Sequence, residues 1–269
     1  MTNRTYKILV LSDLNNATDK MLANTVRLAK IINGEIAIFN VKRPTEIVAI
    51  DNQLSAMRSI NTEHSVIDKK LSKLIAPISK SQEVDITHSF AFGNVKDEIS
   101  SYIKKHTPDI IVLGRRKYNP LSFVGDGITE FVLKTFDGPI LIASDKYVME
   151  PEEKMALGVL NGSARSLNLE FAEDLMANVL KPIKSFKFVK NSNAPKPTKL
   201  AKDGEITEYV FDYNDRAVSS LSKYISKNRV DLLYLGRGKK GSVDEKTLKL
   251  SDIWHIINAI KASVLVSGR

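Results

Sequence analysis

"YIKKHTPDIIVLGRRK", Tyr102 to Lys117, lies over "YISKNRVDLLYLGRGK", Tyr224 to Lys239, without a gap. Tyr, Ile, Lys, Asp, Leu, Gly, Arg and Lys recur in register, more than two unrelated amphipathic helix–strand units would share. Each segment starts with helical spacing of its apolar residues and then turns into a short run rich in aliphatic types, "DIIVLG" or "DLLYLG". Such a run is the mark of a strand covered on both faces. One fold written twice is the first expectation.

Working outward, the first copy opens on the strand "KILVLS" (Lys7 to Ser12). A helix follows with Met21, Leu22, Val26, Ala29 and Ile32 at helical spacing, stopped by Asn33-Gly34. Then come a strand "EIAIFNV", a long helical stretch from about Leu54 to Ile78, a strand from Val84 to Phe92 and a helix from Val95 to His106. "DIIVLG", a helix from about Gly127 to Phe136 and the strand "PILIAS" complete the copy.

The second copy replays this order from "MALGVL" to "SVLVS". It omits the long helix and carries instead "NSNAPKPTKLAKDGE", Asn191 to Glu205, whose prolines, glycine and polar residues predict a surface loop. "SDKYVMEPEEK" is the charged hinge between copies. Strands alternating with helices mean parallel pairing and right-handed crossovers. The expected architecture is α/β: two tandem doubly wound, Rossmann-like domains, residues 1–147 and a shortened 148–269, each with a parallel five-stranded sheet, taken to wind in the strand order 3-2-1-4-5.

At 269 residues the chain has room for two such domains. It has no cysteine, which excludes disulfides, thiolate metal sites and cysteine nucleophiles and fits a reducing compartment. No apolar run is long enough to span a membrane and no signal peptide is visible, so the expected location is cytoplasmic, with no membrane partner. The net charge of +9 invites a nucleic-acid reading, but the lysines are scattered along helix patterns. A solvated basic surface is expected instead.

Catalytic and metal-binding patterns are missing. The four histidines fall in separate elements, none at the helix spacing of a zinc site, and there is no Gly-x-Ser-x-Gly elbow. No enzyme is expected.

In a sheet of order 3-2-1-4-5 a ligand sits beyond the carboxyl ends of the strands where the winding reverses, between strands 1 and 4. Asp13 and Gly114 fall there. "ILVLSDLNNATDKML", "FGNVKDEISSYIKKHTPDIIVLG" and "GPILIAS" resemble the first strand, the glycine-acid helix with strand 4, and the last strand of the universal stress protein family in its tandem form. In that family's ATP-binding members a Gly-x-x-Gly, nine residues, Gly, then Ser or Thr loop after strand 4 holds the phosphates on freed backbone N–H groups. An Asp ending strand 1 and backbone groups ending strand 2 receive the adenosine.

The resemblance implies a binding set for ATP or AMP in the first copy: Asp13, Val41, Gly114, Arg115, Arg116, Lys117, Gly127, Ile128 and Thr129. Lys117 stands in place of the second glycine and Ile128 in place of the hydroxyl. A lysine does not readily adopt positive φ and puts a side chain where backbone must approach phosphate. Arg115, Arg116 and Lys117 supply charge instead, and Gly125 and Thr129 stand in for the lost glycine and hydroxyl. In the second copy Asn161 is read at the place of the Asp and Gly236 is kept, but the spacing to the next helix is not. The run Gly236, Gly238, Gly241 is a weak glycine pattern on the wrong strand.

The resemblance also implies pairing through the last strands, made inside one chain by "PILIAS" and "SVLVS", and leaves room for a homodimer. Two functions follow as expectations. One is a non-catalytic stress-response protein with weak adenine nucleotide binding in domain 1; the other is a protein-interaction module with no nucleotide ligand.

Overall fold

A computed structural model describes residues 4–14, 18–43, 53–115, 127–149, 153–161, 167–189, 198–202, 205–212, 214, 216–237, 248 and 250–268. The chain forms two compact units, Met1–Val112 and Leu113–Arg269, divided inside one strand.

The first unit runs β1 (Tyr6–Leu11), α1 (Thr18–Ile32), β2 (Gly34–Lys42), α2 (Gln53–Gln82), β3 (Ile86–Phe92), α3 (Val95–His106) and the start of β4 (Ile110–Gly114). β1 pairs parallel with β2 from Tyr6↔Gly34 to Leu11↔Phe39, and β2 with β3 from Ile36↔Ile86 to Lys42↔Phe92. The order is β3-β2-β1-β4. β4 is buried from Ile110 to Leu113, as a central strand under helices on both faces must be.

Local chemistry sets the helix ends. Asn94 caps α3, its side chain accepting the Lys96 N–H at 3.0 Å, and Asp97 and Glu98 fill the first turn. Lys104, Lys105 and His106 fill the last turn, and Thr107 ends the helix at φ 45°. Each charge sits where it complements the helix dipole. α1 likewise carries Asp19 first and Lys30 last, and Asn33 leaves it at φ 55°.

The second unit holds the end of β4, α4 (Ile128–Thr135), β5 (Ile140–Ala143), β6 (Leu157–Leu160), α5 (Ala172–Ala177), β7 (Ile183–Val189), β8 (Thr198–Lys202), β9 (Ile206–Asp212), α6 (Ala217–Lys227), β10 (Leu232–Leu235), α7 (Leu250–Ala259) and β11 (Ser263–Val266). From β4 the strands run β5-β11-β10-β6-β7-β9-β8. Both repeats therefore wind in the order 3-2-1-4-5. β5 and β11 meet antiparallel, Ile140↔Val266, Leu141↔Leu265 and Ile142↔Val264. That pairing places α4 and β5 in the second compact unit, so the units divide earlier in the chain than the repeats do.

One expectation needs correction. Asn191 to Glu205 contains a strand, β8, which pairs antiparallel with β9 from Thr198↔Val210 to Lys202↔Ile206. "TKLAK" has no β-branched run to announce it. An edge strand draws its stability from backbone hydrogen bonds on one side and forms without a hydrophobic period.

The missing long helix leaves its mark on the strands beneath. Phe39 and Phe186 hold equivalent places in β2 and β7, since each carbonyl accepts the N–H of the residue after the first strand of its repeat. Counting from them, Ile38 and Asn40 of the first repeat correspond to Ser185 and Lys187, and His88, Phe90 and Phe92 of β3 to Glu208, Val210 and Asp212. In the first repeat this face packs on α2, with the His64 ring 4.5 Å from Phe90 and His88 Nε2 3.0 Å from Asp68 Oδ1. In the second it carries a Lys187–Glu208 ion pair at 2.8 Å. Lys187 of this face is exposed and Glu208 half-buried, while Ser185 is buried.

Candidate functional site

The carboxyl end of β1 is a tightly fixed corner. Ser12 N–H donates to the Phe39 carbonyl at 3.1 Å, and the Ser12 carbonyl accepts Asn40 Nδ2 at 2.7 Å. Ser12 Oγ accepts the Leu14 N–H at 3.1 Å and lies 3.3 Å from Thr18 Oγ1. Leu14 is buried at φ 58°, a left-handed conformation that costs a non-glycine residue about 1 kcal/mol or more. Lys70 of α2 reaches back to donate to its carbonyl at 2.6 Å.

Asp13 is exposed within this corner, between two buried neighbours, and Val41, half-buried, follows Asn40 on the adjacent strand. Asn40 is 1% exposed, and its Oδ1 has no hydrogen-bond partner among the described residues. Asn40, Ser12 and Lys70 were not singled out in the sequence. The visible signal was an asparagine inside the apolar strand pattern "EIAIFNV", where a buried amide must serve something.

In the second unit, Gly114 ends β4 and is half-buried, and Gly127 is the N-cap of α4 at φ −61° with no side-chain cap bond. Ile128 and Thr129 open that helix, both half-buried. A helix start whose N-cap is a glycine, with no side-chain cap of its own, suits an anion. Arg116, Lys117 and Gly125 lie outside the described residues, as do Gly238 and Gly241.

Arg115 is turned away from solvent. Its Nη1 donates to the Ile257 carbonyl and its Nη2 to the Ala262 carbonyl at 2.9 Å, while its N–H meets the Ala143 carbonyl at 3.2 Å. Burial lowers its pKa, with Asp145 acting in the opposite sense. Arg237, its counterpart in the second repeat, donates from Nη1 to Leu133 at 3.3 Å and Phe136 at 3.1 Å, from Nη2 to Gly138 at 2.5 Å, and from Nε to Ser267 at 2.5 Å. All of these acceptors are backbone carbonyls.

The second repeat differs at its first strand. Leu160 pairs with Phe186 as Leu11 pairs with Phe39, and the Asp231 N–H meets Ala156 as the Asp109 N–H meets Lys7. Asn161 is thus the counterpart of Ser12, one place before the expected aspartate position. The reading of Asn161 at the place of the Asp is therefore one residue out of register. Asn161 Oδ1 accepts the Phe188 N–H at 3.0 Å, and the residue stands at φ 47°, a backbone role.

Three of the four histidines make structural contacts. His106 stacks on Tyr102 at 4.1 Å at the end of α3, and His64 and His88 join α2 to β3. Among the described residues no cluster of three His, Asp or Glu could hold a metal ion, and no helix is long and apolar enough to cross a membrane.

Comparison with known proteins bears on this geometry. A universal stress protein from Archaeoglobus fulgidus superposes with a TM-score of 0.66 at 16% identity, covering 98% of this chain and 96% of its own. A functionally unknown protein from Pseudomonas aeruginosa PAO1 gives 0.58 at 10% identity over 97% and 92%. At these identities the likeness is one of fold, and it spans both repeats. No curated protein matches the chain. The sequence profile described as "Universal stress protein family" matches residues 5–144, more than half of the chain, and the chain belongs to that family.

Proposed function

We propose that the protein is a non-catalytic, cytoplasmic stress-response protein that binds an adenine nucleotide, ATP or AMP, weakly through its first repeat. The observation that carries the reading is Asp13, held exposed at the end of β1 in a corner fixed by Ser12, Asn40, Leu14 and Lys70. β1 lies between β2 and β4, the place where a doubly wound sheet receives a ligand. Asp13 would accept the ribose hydroxyls, backbone groups at Val41 would meet the base, and Gly114 with the α4 start at Gly127, Ile128 and Thr129 would receive phosphate. Arg116 and Lys117 would add charge.

In this proposal the repeats are domains 1–147 and 148–269, paired through β5 and β11 inside one chain, with room left for a homodimer. Arg115 belongs to that seam rather than to the phosphates. Its two Nη groups, both given to backbone carbonyls, favour the second reading, an interaction protein without nucleotide, over any tight phosphate cradle. Calorimetry with ATP and AMP separates the two: saturable heat lost in Asp13→Ala supports nucleotide, and partner capture unaffected by Asp13→Ala with no heat supports the other.

A further inference from the structure

A cavity of about 460 Å³ in the second unit has Tyr147, Met149, Leu180, Ile225, Val230 and Asp231 on its wall. Tyr147, Val148 and Leu180, exposed by 50%, 38% and 49%, all line it and are three of the five large apolar side chains exposed among the described residues. Exposed apolar groups gathered around one concavity mark a binding surface.

Asp231 is the polar group of this wall whose role the first repeat explains. Asp109 Oδ2 accepts the Lys7 N–H at 2.8 Å, and Asp231 Oδ2 accepts the Ala156 N–H at 2.7 Å. The two aspartates therefore hold the same place, with Lys7 equivalent to Ala156, Tyr6 to Met155 and Arg4 to Glu153. In the first repeat the Arg4 guanidinium bonds Asp109 Oδ1 at 2.5 Å, with its Cζ 5.0 Å from the Tyr6 ring centre. In the second repeat a glutamate stands where the arginine stood, and Glu153, Met155 and Asp231 all border the cavity. Lys154 and Arg229 are exposed on the same wall, and Lys184 acts on Asp231 through its charge.

We propose that this cavity binds a small organic cation, an amine or guanidine on an apolar or aromatic body, whose charge takes at Asp231 the place that Arg4 fills at Asp109. The apolar body would replace the arginine stem and cover Met149, Leu180 and Ile225. The site is independent of the nucleotide reading and lies wholly within residues 147–262.

The test uses the full chain, with phenethylammonium and n-butylguanidinium as cations and phenethyl alcohol as the neutral match of the first, followed by calorimetry and amide NMR shifts. Both cations are expected to saturate and to bind about tenfold or more tighter than the alcohol, the factor a charge-assisted hydrogen bond supplies. Asp231→Asn still accepts the Ala156 N–H and should lose about that factor. Glu153→Arg rebuilds the first repeat's pair from within and should abolish cation binding while raising thermal stability. Equal affinity for amine and alcohol, no saturation by either cation, or full affinity in folded Asp231→Asn would overturn the proposal.

Discussion

Arg115 and Arg237 make the same pair of contacts in opposite directions. Arg115 donates to the carbonyls of Ile257 and Ala262, and Arg237 to those of Leu133 and Gly138. When "GPILIAS" is laid over "ASVLVSG", Gly138 falls on Ala262 and Leu133 on Ile257, so the two arginines address equivalent helix ends. Leu141↔Leu265 is then the self-paired centre of the β5–β11 contact. Carbonyls left at a helix C-terminus need donors, and a planar fork with five N–H groups meets two of them at once.

Removing either arginine should leave buried carbonyls without donors. Arg115→Ala and Arg237→Ala are each expected to lower unfolding free energy by about 2 to 4 kcal/mol, with the larger loss at Arg237, which has more carbonyl partners. Arg237→Lys should recover less than half, since an ammonium cannot span Leu133, Gly138 and Ser267 together. Urea denaturation of the three variants measures this.

Gly158 approaches β7 so closely that a Cβ there would lie 2.7 Å from Phe186 Cε2. Phe186 is fully buried among Tyr209, Phe211 and Tyr224 and has little room to retreat. Gly158→Ala should therefore destabilise by about 1 to 3 kcal/mol through overpacking, despite the better strand propensity of alanine. A thermal melt with a lowered midpoint is the expected result.

Burial raises the pKa of Asp231 above the ordinary aspartate range, with the Ala156 hydrogen bond and Lys184 opposing the shift and Glu153 adding to it. A raised carboxyl pKa means the folded state holds the proton more firmly, so this residue's contribution falls as pH rises from the ordinary aspartate range through the raised value. Asp231→Asn should remove that pH dependence and match or exceed wild-type stability at neutral pH. Urea midpoints across the acidic range check the sign.

Much of the fold was legible because it is carried by local patterns. The ends of α3 match its sequence bounds to the residue because Asn94 and Thr107 cap it. The repeat followed from "DIIVLG" and "DLLYLG", and the parallel pairing from the alternation of strands and helices. β8 was hidden because an edge strand needs no hydrophobic period. The use of Arg115 was hidden too: the carbonyls that hold it, at Ile257 and Ala262, are more than a hundred residues away in sequence. A basic loop beside a glycine looks the same whether its charge faces a phosphate or a helix end. The misplacement of Asn161 was a register error of one residue, visible only through strand pairing.

Nucleotide binding in the first repeat rests on Asp13. Titration of ATP and AMP into the purified protein, repeated with Asp13→Ala, tests it most directly. Saturable heat is expected for at least one nucleotide in the wild type, with its loss in an Asp13→Ala protein that melts normally. No heat from either nucleotide at millimolar concentration, or undiminished binding in Asp13→Ala, would contradict it.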